Sequence, residues 1–284
     1  MGPDDQNPDN QEVYHRFRSV VGAVLLAFNP LSMRSLSHLL QDFNTPSDIS
    51  TALDPLHSLL LVPEDVEDSI HVLHKSFPDF LMDSKRCQDT RFFVDPSVHH
   101  TEILFSCMHL MEERLKGRIC DLDGHANISD ANELSACRKE YIGEALGYAC
   151  QFWTRHLMRS PSSGPGIEKV HKAIDKFFTT YLLFWIEVLI IMESLDTSVY
   201  SINDIQQWYD LVSVEILFAK MYIHLLFRGV LSASGLMTAS VSSWDTLMQS
   251  ATLLPSYITL PFPFALLPLG FTNTMPQNCN MGLR

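Results

Sequence analysis

Residues 57–83, HSLLLVPEDVEDSIHVLHKSFPDFLMD, constrain the fold more tightly than any other stretch of this chain. Two apolar runs, residues 59–62 and 70–73, are too short for helices and flank an acidic segment at residues 63–68. That pattern predicts a two-stranded ribbon with a solvent-exposed tip. Phe77, Phe80 and Leu81 then recur at i, i+3, i+4, which lays one apolar stripe on a short helix.

Three helical patterns precede the ribbon. Residues 13–28 read as a buried helix stopped by Asn29 and Pro30. Ser32 can cap residues 33–41, where Leu36, Leu39 and Leu40 form a stripe. Thr45 and Pro46 are a helix-start pair for residues 47–56. Three helices followed by a ribbon is the order of a winged-helix domain, assigned to residues 13–116. Pro96 and Ser97 open its last helix, with Ile103, Leu104, Cys107, Leu110 and Met111 on one face. Residues 1–12 are polar and expected to be disordered.

A second helical unit is expected over residues 117–211. Residues 140–159 read as a helix burying Tyr141, Ala145, Tyr148, Ala149, Phe152 and Trp153. The turn SPSSGPG at residues 160–166 lets the next helix, residues 167–195, fold back against it. Residues 201–209 make one more helix, with Ile202, Ile205 and Trp208 or Tyr209 inward. Residues 177–192 are very apolar, but Glu187 interrupts them and Lys176 and Glu193 bracket them. A membrane span needs about twenty apolar residues, so a central bundle helix is expected there. The fold class is therefore mainly α: a winged-helix domain of three helices plus a small ribbon, then a helical-bundle segment.

The tail, residues 212–284, reads differently. Past Gly229 only Asp245 and Arg284 carry charge, and Pro255, Pro261, Pro263 and Pro268 break any helix or central strand. It is expected to be poorly structured.

Composition narrows the function classes. A net charge of −13 opposes binding to a polyanion, because nucleic-acid affinity rests on Lys and Arg neutralising phosphates. The 46% hydrophobic content supplies a globular core. Six cysteines, at 87, 107, 120, 137, 150 and 279, include no CxxC pair, and free thiols in a reducing compartment are expected. Residues 19–28 are apolar, but Asp4, Asp5 and Glu12 make the leader acidic, unlike a secretory signal. A cytoplasmic protein is expected.

The words of the chain also resemble a family. Phe28, Pro30 and Leu31, the ribbon with HKSFPDFLMD, FFVDPSVHH at residues 92–100 and YIGEALGYACQFWTRHL at residues 141–157 look like the fungal, basidiomycete-type NACHT proteins. These are signal-transducing NTPases of the STAND class, often carrying WD-repeats. The likeness runs from near Pro3 to about Leu211 and covers only the part downstream of the NTPase core, which implies a fragment. It implies a winged helix that closes over ADP at rest and a helical linker toward a WD-repeat sensor. The partners it implies are the NACHT core and that sensor, with ATP-driven homo-oligomerisation in the parent. Residues 233–250, read back into codons and shifted by one base, can give CEWTDDGQRFVLGHFDAIS, similar to a block that follows the helical unit in this family. Val212 and Ser213 can be encoded by GTAAGT, a splice-donor sequence. An unspliced intron over residues 212–228 followed by a shifted frame accounts for the tail on this reading.

The chemistry is sparse. No GxxxxGK[ST] phosphate loop occurs, so no enzyme activity and no cofactor are expected of this chain, ADP and ATP belonging to the parent family. GxSxG, HExxH and DxDxDG are likewise missing. The resemblance singles out His74. In these NTPases a Met-His-Asp motif at the ribbon's end contacts the β-phosphate of ADP, and here Leu73 and Lys75 flank the histidine. An imidazole suits donation to phosphate. The competing reading is a half-buried histidine bonding backbone at a strand end. His99, His100, Cys87 and Cys107 fit no zinc spacing, and no metal is expected. Two other readings stay open: a free-standing winged-helix interaction or nucleic-acid-binding protein, and a membrane-associated helical protein using residues 177–192 and the tail.

Overall fold

Capping residues and prolines decide where the helices begin. The computed structural model describes residues 8–40, 43, 45–116, 119 and 135–209. Helix α1 (Pro8–Leu26) starts ahead of the apolar pattern, so residues 8–12, expected to be disordered, are helical. Proline fits the first helical turn, where its missing N–H would have no partner, and Glu12 complements the positive helix start. Ser32 Oγ caps α2 (Met33–Leu39) by accepting from Ser35 N–H at 3.1 Å. Thr45 and Asp48 form a reciprocal capping box on α3 (Pro46–Leu53), and a 3₁₀ turn at Asp54–Leu56 follows.

The ribbon forms at the expected position but is short. Strands β1 (Leu60–Leu61) and β2 (His71–Val72) pair antiparallel, Leu60 opposite Val72 and Leu61 opposite His71. The segment between α1 and α2 joins on the far side of β2. Ser32 bridges Ser69, and Ile70 N–H donates to Leu31 O at 3.0 Å. The pleat turns Leu60 into the core and leaves Leu61 and Leu73 about half exposed, at 52% and 54%.

Helix α4 (Ser76–Leu81) buries Phe77 and Leu81, whereas Phe80 stays 41% exposed under the Arg86 guanidinium. Asp95 caps α5 (Pro96–Arg114), accepting from Ser97 N–H at 2.9 Å, and all five residues of the predicted apolar face are buried.

In the second half, a π-helical turn at Arg138–Ile142 leads into α6 (Gly143–Leu157). Tyr141, expected inside, is exposed. The π turn adds a residue per turn and rotates it off the buried face. Beyond the turn at residues 160–166, α7 (Ile167–Lys176), a π turn (Phe177–Tyr181) and α8 (Leu182–Ile191) run on, ending where Glu193 takes φ 53°. Helix α9 (Leu195–Tyr209) starts earlier than the sequence pattern and buries Ile202 and Ile205.

The described residues are mainly helical, with one two-stranded sheet, and belong to one compact unit. Buried side chains of both halves form one continuous apolar cluster, from Leu36, Ile49 and Leu60 through Leu104 and Met111 to Trp153 and Trp185. Among the described residues no helix is long and apolar enough to cross a membrane. Cys87, Cys107 and Cys150 are buried free thiols, but Cys137 is disulfide-bonded, contrary to expectation. Sequence spacing is silent on cysteines that the fold brings within the few ångströms a disulfide needs. Residues 1–7 and the tail at 212–284, with its shifted-frame reading, lie outside the described residues.

Candidate functional site

His74 stands at the end of β2, exposed. Its Nδ1 accepts the backbone N–H of Ser76 at 3.1 Å and lies 2.6 Å from Ser76 Oγ. An accepting Nδ1 leaves the ring proton of the neutral form on Nε2. The side chain bonds backbone at the strand end, as the competing reading has it, but is exposed rather than half-buried. Lys75 beside it is exposed and makes no side-chain cap.

The neighbours His99 and His100 on α5 diverge. His99 Nδ1 donates to Asp95 O at 3.0 Å, and its ring lies against Gly22 of α1. His100 Nδ1 instead faces His156 Nδ1 at 2.9 Å. Among the described residues no three His, Cys, Asp or Glu side chains form a metal-sized group.

The contact between His100 and His156 belongs to a polar stripe along α6 that the sequence analysis missed. Glu144, Tyr148, Phe152 and His156 are spaced by four, so they share one ridge of the helix. Glu144 accepts from Ser32 N–H at 3.2 Å, from Ser32 Oγ at 2.7 Å and from the Ser35 hydroxyl, which sets a carboxylate on the positive end of α2. Tyr148 Oη accepts Phe28 N–H at 3.3 Å and lies 2.7 Å from His156 Nε2. Phe152 stacks on Phe28 with centroids 5.7 Å apart. With Tyr148 donating to His156 Nε2, His156 Nδ1–H donates to His100 Nδ1.

Burial governs the chemistry of this network. It pushes His100 down to about 4, with Arg159 and His99 adding like charge. It pushes His156 to about 3, with His100 and Arg159 adding. The Tyr148 hydroxyl and the Cys107 and Cys150 thiols are pushed up, first by desolvation. All five groups are therefore neutral near pH 7, which suits positioning of α1, α5 and α6 rather than proton transfer or thiolate attack. The available signal was a histidine and a glutamate in register with Tyr148 on an otherwise apolar face.

A separate apolar cavity of about 470 Å³ opens between α1, α4 and the loop after it, lined by Phe17, Leu56, Phe77, Phe80, Arg86 and Cys87. Burial raises the Cys87 thiol, with the Asp89 charge adding. No family model, no curated protein and no solved structure matches the chain.

Proposed function

We propose that the chain is the non-catalytic regulatory part of a NACHT-type signalling NTPase, a winged-helix unit joined to a helical linker. The observation that carries the reading is His74, exposed at the ribbon's end with Nδ1 engaged and Nε2–H left as a donor for a phosphate oxygen. The chain order supports it. Between the first and second helices, Ser32 makes an isolated bridge to Ser69 beside the two-stranded ribbon, at the place in the order where a winged helix has a further strand. Leu61 and Leu73, half exposed on one face of that ribbon, offer apolar area to an NTPase core. In the parent, the resting core would hold ADP against His74, and the helical linker would connect that contact to a WD-repeat sensor. Release of the ribbon, nucleotide exchange and homo-oligomerisation follow on sensing. Nucleic-acid recognition fits less well, because α3 (PSDISTAL) carries an aspartate and no Lys or Arg.

The test is ADP release from a NACHT core joined ahead of residue 1, followed with a fluorescent ADP analogue. His74→Ala should speed release about tenfold, the worth of one charge-assisted hydrogen bond. Equal release from both proteins would sink the reading.

A further inference from the structure

Two guanidiniums share one aromatic platform at the C-terminal end of α6. Arg155 and Arg159 lie one helical turn apart and are both exposed. Arg155 Cζ sits 5.6 Å from the Phe28 ring centroid and 5.4 Å from that of Phe152. Arg159 Cζ sits 4.7 Å from the Phe28 centroid, and its Nη1 donates to Arg155 O at 3.3 Å. The platform is itself fixed: Phe28 stacks on Phe152 and packs against His156, 4.7 Å between centroids, and Phe28 N–H is tied to Tyr148.

Two cations on one ring repel each other. The ring quadrupoles and the negative end of α6 offset part of that repulsion. Among the described residues no carboxylate forms an ion pair with either arginine. Asp204 on α9 feels the charge of Arg155 without pairing to it. The result is two guanidiniums held over one ring and short of counter-charge, on a chain of net charge −13. Stacked arginines present the bidentate geometry that oxyanions accept. A phosphate monoester carries roughly −1.5 to −2 at pH 7, matching both cations, whereas a carboxylate matches one.

We propose that Arg155 and Arg159, held on Phe28, form a docking point for a phosphate monoester dianion. This assignment stands independently of the NTPase reading. The experiment is a titration of the full chain, observing the arginine Nε–Hε resonances, with inorganic phosphate, O-phosphoserine and acetate at matched ionic strength. Saturable shifts of two signals with both phosphates, and weak or no response to acetate, are expected. Arg159→Gln should weaken binding about tenfold, the worth of a charge-assisted hydrogen bond. Arg159→Lys, which keeps the charge and loses the fork, should fall between. Phe28→Leu should weaken binding with both charges retained. Equal affinities would assign free phosphate as the ligand, and tighter binding of O-phosphoserine a phosphorylated side chain. An equal response to acetate, or unchanged phosphate binding by Arg159→Gln and Arg159→Lys, would overturn the proposal.

Discussion

The buried imidazoles of His100 and His156 should make this protein unusually sensitive to mild acid. Both have folded pKa values below the ordinary 6.5, so each is neutral in the folded state when it is already protonated in the unfolded chain. Their contribution is complete above pH 6.5 and is lost as pH falls through 6.5 toward about 4. Each depressed histidine costs about 1.4 kcal/mol per pH unit below its unfolded pKa, so moving from pH 7 to pH 5 removes about 2 kcal/mol per residue. Two such residues remove about 4 kcal/mol, a large share of the 5–15 kcal/mol a domain has. Carboxylates whose folded pKa is not raised contribute little slope in that window, because their unfolded pKa values lie below it; burial raises Asp204, whose contribution is common to wild type and variant. The assay is urea unfolding at several pH values between these limits. His156→Gln retains a side chain able to bond Tyr148 and His100, and it should remove about half of the extra slope whatever it does to absolute stability. A wild-type slope no steeper than that of His156→Gln would refute the neutral-pair assignment.

Gly22→Ala tests the packing of α1 on α5. A Cβ there would meet His99 Cδ2 at 2.2 Å, so the helix-propensity gain should be outweighed and the melting temperature should drop, by about 1–3 kcal/mol of stability. Thr45→Ala removes one half of the α3 capping box and should cost about 1 kcal/mol in chemical denaturation. Glu144→Ala strips the carboxylate from the start of α2 and should cost about 1–2 kcal/mol, allowing for its exposure. A double-mutant cycle with Ser32→Ala should return most of that value as coupling, and additive losses would contradict the geometry.

What the sequence made legible was what local chemistry decides. Caps at Ser32 and Thr45, the helix start at Pro96, the turn at residues 160–166 and the stripe from Ile103 to Met111 follow from spacing and side-chain type alone. The errors sit where a non-local or non-ideal feature intervenes. Tyr141 turns outward because a π turn breaks the 3.6-residue period on which its inward placement rested. Cys137 is bridged because partner choice is a matter of tertiary distance. His74 was legible only through the resemblance and its place at a strand end. The partnership of His100 with His156, 56 positions apart, left no local trace beyond a histidine on an apolar face.

Helix α6 explains why the two halves share one core. Its ridge of Glu144, Tyr148, Phe152 and His156 ties to Ser32, Phe28 and His100, each on the first half. Elsewhere the same helix meets the second half, where Cys150 O accepts Trp185 Nε1–H at 2.8 Å and Trp153 packs on Phe177 at 4.7 Å. Polar bonds are directional and apolar packing is not. The ridge therefore fixes the register of α6 against α1, α2 and α5, and the aromatic face supplies the burial energy. A displacement of the segment carrying Phe28 must break the Tyr148 bond and disturb the ring under both arginines. The same connection between α1 and α2 bridges Ser69 ahead of β2 through Ser32.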